Sequence, residues 1–445
     1  MANDIVAAPG HGLLRGDDTY RHWQIRIFLI TWLTYAGYYL CRKNFGVAIP
    51  LWVASRLYTD LDLANSIFAY SLLYGAAQLV IGPLADRLGS RIIVGSGLAI
   101  VIGSNLLMSL PQGPLTLTLL ACLNGLGQAT GWSGLVRCMA NWFAVRDRGV
   151  VMAWWGTNYA LGGFIATIFA TFCATNTLIW PTLGWRRAFL FPSLLLTVIC
   201  ILFLVFIRET PGNGAAGGQQ LSVSRTEPSR SGSSAADLLR QPVLWVISTS
   251  YFLLEMTRYG FLFWLPLYLT KALAYKPDSA GYLSSLFELV GFAGAVAAGY
   301  LSDRVFHSRR LPVGAIMLAC FGLAIFVEPW LAKSGFLGTA IGISAMGLFC
   351  YGPDTLLCGA AAQDVGGSKH AGAASGIIDG LGHLGSIASP YLVVSISRLL
   401  GWNSLFFVFG ALSLAAAVIL CFQWNFSAPE LAQEDHSGNQ VLQNA

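Results

Sequence analysis

The sequence predicts an all-α membrane protein whose twelve transmembrane helices form two pseudo-symmetric six-helix bundles. Three observations predict this fold class. Of the 445 residues, 55% are hydrophobic and only 11% are charged, whereas soluble domains carry roughly 25% charged residues. Many apolar runs reach the length of about 20 residues that a helix needs to cross a bilayer. A polar linker divides these runs into two sets of six, and motifs of the first set recur in the second.

Twelve apolar segments define the predicted helices in chain order. They lack the one-sided apolar stripe that marks a surface helix of a soluble protein. The segments cover approximately residues 23–52, 62–83, 92–110, 115–142, 149–175, 186–207, 243–270, 279–301, 311–332, 335–361, 371–397 and 402–424.

A linker rich in Gly, Ser and Pro separates the sixth segment from the seventh, and this composition is typical of flexible chain. The tail before the first segment lacks the apolar stretch of a cleavable signal peptide. The predicted organisation is a tail, a bundle, the linker, a second bundle and a second tail, at residues 1–22, 23–207, 208–242, 243–424 and 425–445.

Basic residues predict the orientation. Most Lys and Arg residues of the predicted loops fall on the face that carries both tails and the linker. The positive-inside rule therefore predicts that both termini are cytoplasmic, and we expect a multi-pass protein of the bacterial inner membrane. Four basic residues instead lie within predicted helices, namely Arg42, Lys43, Arg137 and Arg258.

The sequence also excludes several function classes. Walker loops, zincin helices, nucleophile elbows and metal-spaced His/Cys sets are absent from it. The nine cysteines lie mostly in apolar runs without paired spacing, which favours buried thiols over a disulfide or zinc framework. We therefore expect a monomer in the lipid bilayer, without enzymatic activity, cofactor, metal or nucleic-acid partner.

The two halves of the chain repeat each other. "GPLADRLGSR" begins at Gly82 and "GYLSDRVFHSRR" at Gly299, an offset of 299 − 82 = 217. "GWRRAF" at Gly184 and "GWNSLF" at Gly401 give the same offset, 401 − 184 = 217. Six segments separate the copies, so the repeats are parallel, as in the major facilitator fold, which places its substrate near the membrane midplane between the halves.

The repeat pairs two intramembrane arginines. Arg42 plus 217 is position 259, next to Arg258, so each half carries one arginine in its first segment. An arginine inside a membrane is costly unless it faces water or an anion, and its planar fork suits phosphate or carboxylate. The pair predicts a site for a compact anion, most naturally a phosphate. The alternative is a structural ion pair with an intramembrane acid, of which the candidates are Glu255, Glu288, Asp354 and Asp379.

"GPLADRLGSR" resembles the loop signature of the major facilitator superfamily. The resemblance implies a charge latch between helix ends, formed by Asp86, Arg87, Arg91, Asp303 and Arg304. A narrower resemblance lies in "YYLCRKNFGVAIP", "TRYGFLFWLP", "LGWRRAF", "YGPDTLL" and "GIIDGLGHLGS". These stretches resemble the organophosphate:phosphate antiporters, which include glycerol-3-phosphate and hexose-6-phosphate exchangers, a glucose-6-phosphate sensor and the eukaryotic sugar-phosphate exchangers.

The antiporter resemblance implies that Arg42 and Arg258 bind the phosphoryl group. The glycerol-3-phosphate exchangers carry a lysine at the position of Gln78 and a histidine at that of Tyr159, and both differences remove possible positive charge. Further substrate-binding candidates are the polar or aromatic residues near the arginines or within apolar helices, namely Tyr38, Tyr39, Lys43, Asn158, Tyr259 and His383. We expect one of the two adjacent tyrosines to line the cavity, and Lys43 is either at the site rim or a packing partner.

These observations favour a secondary transporter that exchanges an organic phosphate ester, of the hexose-6-phosphate or glycerol-3-phosphate type, for inorganic phosphate by alternating access. Two alternatives stay open. One is a receptor for external glucose-6-phosphate that transports little and signals to a sensor kinase. The other is a proton-coupled carrier of another organic anion that uses Asp379 or Glu288.

Overall fold

A computed structural model of the protein describes residues 12–110, 113–143, 148–178, 180–211 and 238–426. In these ranges the regular structure is helical. The α-helices are α1 (Gly12–Ala54), α2 (Asp60–Leu88), α3 (Ser90–Met108), α4 (Pro114–Trp142), α5 (Arg148–Trp155), α6 (Thr157–Thr175), α7 (Arg187–Phe206), α8 (Pro242–Lys271), α9 (Pro277–Arg304), α10 (Arg310–Leu331), α11 (Phe336–Thr355), α12 (Ala362–Leu399) and α13 (Trp402–Cys421).

The helices confirm the predicted all-α membrane fold. Each predicted segment coincides with one helix, except that the fifth is divided into α5 and α6 and the tenth continues through a π-helical turn, Leu356–Ala361, into α12. Eight membrane-length spans in the described part of the chain are also apolar enough to cross a bilayer. The other long helices, α1, α2, α4 and α8, carry most of the polar and aromatic side chains of the site described below.

The chain reverses its direction between Cys358 and Ser375. The Ser375 hydroxyl donates a hydrogen bond of 2.8 Å to the carbonyl oxygen of Cys358. Seventeen residues of a straight helix would span about 25 Å, so the chain turns back between these two residues. The side chains of residues 367–373 lie outside the described set. The tenth and eleventh predicted segments are therefore antiparallel neighbours.

Among the described residues, most contacts between the two halves come from three pairs of helices. α1 packs against α8, α2 against α12, and α6 against α9. Gly46 brings α1 close to α8, since a Cβ atom there would lie 3.2 Å from the carbonyl oxygen of Phe263. We call the end of the bundle that carries the turn at residues 55–59 the α1–α2 face, and the opposite end, with Gly89, the α2–α3 face. The linker from 212 to 237 and the tails before 12 and after 426 fall outside the described residues.

Candidate functional site

A kink in α1 positions the first arginine. Cys41 leaves helical geometry, with φ −101° and ψ 16°. Side-chain amides from α4 donate to the carbonyl oxygens next to the kink, Asn124 to Cys41 at 2.9 Å and Gln128 to Tyr38 at 3.0 Å. Buried backbone carbonyls need such partners in a membrane. Sequence reasoning missed these amides, although polar residues in an apolar helix were the available signal.

Arg42 directly follows the kink and lies among tyrosines. Its guanidinium carbon is 4.9 Å from the ring centres of both Tyr39 and Tyr74, and it donates a long bond of 3.4 Å to the Tyr39 hydroxyl. Within the described part of the chain, no carboxylate forms an ion pair with Arg42, and its Nε lacks a hydrogen-bond partner. Arg42 also lines a small cavity with Tyr70 and Phe263. It is a buried cation that retains donors for an anion.

Arg258, in contrast, is held by two carboxylates. It donates to Glu255, three residues earlier on α8, at 2.7 Å, and lies 3.7 Å from Asp354 at the end of α11. The rings of Tyr351 and Tyr259 lie 5.3 Å and 5.7 Å from its guanidinium. The ion-pair alternative raised by the sequence therefore describes the resting contacts of Arg258 but not those of Arg42.

Asp354 accepts hydrogen bonds from one tyrosine of each half and so links the two halves. The Tyr251 hydroxyl of α8 donates to one carboxylate oxygen at 3.1 Å, and the Tyr159 hydroxyl of α6 donates to the other at 3.3 Å. Tyr159 also stacks on Tyr351, with ring centres 5.6 Å apart. The π-helical turn that follows Asp354 has the irregular geometry often found at functional sites. Tyr159 thus acts as a hydroxyl donor across the interface.

Lys43 pairs with Glu288 across the same interface. Its ammonium group contacts the carboxylate of Glu288 on α9, and both side chains are buried. The pair lines a small cavity together with Thr167 and Ser284. Three carboxylates, those of Glu255, Glu288 and Asp354, thus formally balance the three basic side chains at the centre of the molecule.

His383 lies against the amino-terminal half. Its ring stacks on that of Tyr74 at 5.2 Å, and its Nδ1 lies 2.9 Å from the carbonyl oxygen of Asp379. Its Nε2 is buried without a hydrogen-bond partner among the described residues. Gln78 donates to the Tyr74 hydroxyl at 3.1 Å. Tyr259 faces His383 from α8, with ring centres 6.4 Å apart, so these predicted site residues surround the arginines.

Two other predicted site residues, Tyr38 and Asn158, make no hydrogen bond to either arginine in the described part of the chain. The hydroxyl of Tyr38 is 2.9 Å from that of Thr130 and donates to Val94 at 3.2 Å inside the amino-terminal half, whereas its neighbour Tyr39 faces Arg42. Asn158 is fully buried, and its side-chain amide has no hydrogen-bond partner in the described part of the chain.

Charge networks occupy the α2–α3 face. The backbone N–H of Arg91 donates a hydrogen bond of 3.0 Å to the Glu209 carboxylate, and the Arg137 guanidinium lies 3.5 Å from the same carboxylate. In the second half, Arg310 contacts Asp303 and lies 3.6 Å from Asp364. The side chain of the predicted latch residue Asp86 lies outside the described set. Arg87 and Arg304 are exposed.

Ion pairs also join the halves at the α1–α2 face. The Asp60 carboxylate lies 3.1 Å from Lys271 and 3.7 Å from Arg398. Nearby, Tyr391 donates to Asn65 at 2.9 Å. Because one carboxylate of α2 is shared by the ends of α8 and α12, this face is closed in the structure.

Comparisons with known proteins agree with this architecture. Residues 28–390 match the family model described as Major Facilitator Superfamily. The chain is 29% identical to a glycerol-3-phosphate transporter of Bacillus subtilis over 92% of this chain and 94% of that protein. It is 26% identical to the membrane sensor protein UhpC of Escherichia coli, covering 94% and 95%, and 23% identical to the mouse glucose-6-phosphate exchanger SLC37A2, covering 93% and 94%.

A solved structure shows the same fold. The crystal structure of a bacterial homologue of the human lysosomal transporter Spinster, inward-facing and unoccupied, superposes with a TM-score of 0.69 at 15% identity. The match covers 90% of this chain and 95% of that one.

Proposed function

Because the chain belongs to the major facilitator superfamily, we propose that it carries an organic phosphate ester across the membrane in exchange for inorganic phosphate. Relatives that match almost the whole chain are named glycerol-3-phosphate transporter, hexose phosphate transport protein and glucose-6-phosphate exchanger. The protein is an integral, multi-pass membrane protein. We further propose a monomer of the bacterial inner membrane with both termini in the cytoplasm, as the basic loops favour.

The observation that carries the proposal is the environment of Arg42. An arginine buried at the centre of the bundle, without a carboxylate partner among the described residues, is a site for an anion. Arg258 lies across the interface, and the two tyrosines Tyr39 and Tyr259 are within electrostatic range of both arginines. A tetrahedral phosphoryl group offers enough oxygens to accept from both guanidinium forks.

Binding between the arginines explains exchange without ATP. A phosphoryl group held by Arg42 and Arg258 draws the two halves together, whereas an empty site leaves Arg42 without a counter-ion. Only the loaded protein then passes readily through the closed state, because a ligand shifts an equilibrium by its differential affinity for the two states. The gradients of ester and phosphate supply the driving force.

Proteoliposomes loaded with inorganic phosphate test the proposal. We expect saturable uptake of labelled phosphate that either glucose-6-phosphate or glycerol-3-phosphate blocks. Arg42→Ala and Arg258→Ala are each expected to abolish uptake. Lys333→Ala, which removes an exposed positive charge outside the site, is expected to leave it unchanged. Wild-type protein that neither binds nor exchanges phosphate would contradict the proposal.

A receptor is the second candidate, since relatives named membrane sensor protein match 94% of this chain at 26–27% identity. The same liposomes separate the two functions. Tight binding of glucose-6-phosphate without measurable exchange would favour the receptor.

A further inference from the structure

The two arginines make contacts at equivalent positions, but with side chains of different charge. Each bonds to the side chain three residues earlier on its own helix, Arg42 to Tyr39 and Arg258 to Glu255. The pairs are related by one offset, 258 − 42 = 216 and 255 − 39 = 216. This offset is one residue shorter than the 217 residues between the repeated motifs. The repeat therefore places a neutral phenol in one half at about the position where the other half carries a carboxylate.

Recruiting Arg258 to a phosphoryl group affects its two carboxylate partners differently. Asp354 keeps its hydrogen bonds from Tyr251 and Tyr159 when the guanidinium turns away. Glu255 is 1% exposed, and its carboxylate accepts a hydrogen bond from Arg258. A bound phosphate would thus leave Glu255 as a buried negative charge beside a second anion, which is strongly unfavourable.

We propose that Glu255 is a proton-binding site, and that this carboxyl takes up one proton from solvent when a phosphoryl group binds between Arg42 and Arg258. Protonation removes the negative charge and frees Arg258 for the phosphate. The inference rests on the proposed function, because it needs a phosphate bound at the arginine pair. The other ionisable groups facing Glu255 are Arg258, Tyr251 and Tyr259 on α8, Cys350 and Asp354 on α11, Cys358 in the π-helical turn and His383 on α12.

His383 is the other group that could carry this proton. Its Nδ1 lies between the carbonyl oxygen and the carboxylate of Asp379, at 2.9 Å and 3.6 Å. Asp379 therefore provides His383 with an acidic partner of its own. Phosphate binding leaves this contact of His383 in place but withdraws Arg258 from Glu255, and this difference assigns the proton to Glu255.

The test compares phosphate affinity of the wild type and Glu255→Gln as a function of pH. Dissociation constants for inorganic phosphate are measured in detergent from pH 6 to 8. Because the ionisation of phosphate itself is common to both proteins, it cancels in the ratio of their constants. If only the wild type takes up a proton, its phosphate affinity falls relative to that of Glu255→Gln as the pH rises, by up to tenfold per pH unit. Glu328→Gln removes another buried carboxyl of the same half, outside the site, and is expected to follow wild type.

A constant ratio between wild type and Glu255→Gln would overturn the proton site while leaving the proposed function intact. A ratio that changes with pH only for His383→Asn would overturn the assignment to Glu255. Wild-type protein that binds no phosphate at any pH would overturn both the site and the proposed function.

A second measurement counts the protons that are taken up when phosphate binds. Phosphate is added to weakly buffered protein at pH 8, where we expect about one proton to be taken up per phosphate bound. No uptake would overturn the proposal, as would equal uptake by Glu255→Gln.

Discussion

At the scale of single residues, the two arginines differ in the charge that surrounds them. Arg42 lies on the rings of Tyr39 and Tyr74, whereas Arg258 contacts Glu255 and Asp354. In the proposed exchange, Arg42 is available to an anion at once, whereas Arg258 becomes available when its carboxylates are displaced. We therefore expect Arg42 to make the first contact with the phosphoryl group.

Replacing Arg42 with lysine tests the need for a planar fork. The ammonium keeps the charge but cannot form two parallel bonds to a phosphoryl group. We expect Arg42→Lys to weaken phosphate binding about tenfold or more, as measured by isotope binding in detergent. Lys333→Arg is the matched exchange at an exposed position and should bind normally. Wild-type affinity in Arg42→Lys would contradict bidentate binding.

The sequence predicted the arginine pair because the repeat aligned it, but it could not predict which acids lie beside each arginine. Glu255 is one helical turn from Arg258 in sequence, whereas Asp354 and Glu288 reach the site only through the packing of other helices. Tyr38 and Tyr39 are adjacent in the sequence, and the packing of α1 against α4 decides which of them faces Arg42.

The Lys43–Glu288 pair provides a second prediction at this scale. Removing one partner of a buried ion pair leaves an uncompensated charge, which costs about 3–5 kcal/mol. We expect Lys43→Met and Glu288→Met each to lower the thermal unfolding temperature in detergent strongly. The double variant should recover most of the loss. If the two losses are instead additive, the side chains do not act as a pair.

At the scale of helices, close backbone contacts decide how the elements pack. A Cβ atom at Gly294 on α9 would lie 1.9 Å from the carbonyl oxygen of Leu348 on α11. Small residues allow such close approach between membrane helices. Glu288 and Asp354, which pair with Lys43 and Arg258, are carried by these same two helices, so the separation of the helices affects both ion pairs.

Alanine substitutions within α9 test this packing. Gly294→Ala must push α11 away, and we expect a clear drop in thermal stability in detergent together with weaker phosphate exchange. Gly299→Ala lies on the same helix, where a Cβ atom would meet nothing within 4 Å. It should be as stable as the wild type or slightly more so, because alanine favours the helix. Equal stability of the two variants would contradict the close contact.

Apolar length was sufficient to predict the helices but not their interruptions. All twelve segments are helical in the structure. Their prediction was reliable because a run of about 20 apolar residues has few alternatives to a membrane helix. The kink at Cys41 and the π-helical turn at Leu356–Ala361 depend on partners from other helices, such as the Asn124 amide. No local pattern in the sequence predicts those partners.

At the scale of the whole molecule, Asp60 closes the α1–α2 face. Asp60→Asn removes its ion pairs with Lys271 and Arg398, so we expect this face to open more often. The readout is thiol labelling of a Ser66→Cys variant, since Ser66 lines the cavity beside Arg42, with mass spectrometry of the labelled peptide. Because half-exposed ion pairs contribute at most about 1 kcal/mol, labelling should accelerate by up to about fivefold.

Asp278→Asn is the control for the Asp60→Asn experiment. Asp278 begins α9 as Asp60 begins α2, but its recorded hydrogen bonds are to the neighbouring Ser279. Labelling in this variant should match that of Ser66→Cys alone. Unchanged labelling in Asp60→Asn would show that other contacts keep the face closed.

The most direct test of phosphate-ester exchange is trans-stimulation in proteoliposomes. Vesicles are loaded with labelled inorganic phosphate, and its efflux is followed with and without glucose-6-phosphate or glycerol-3-phosphate outside. The account predicts slow efflux into ester-free buffer and a severalfold acceleration by one of the esters, lost in Arg42→Ala. Efflux that is equally fast without an external ester, or that persists in Arg42→Ala, would contradict exchange through the arginine pair.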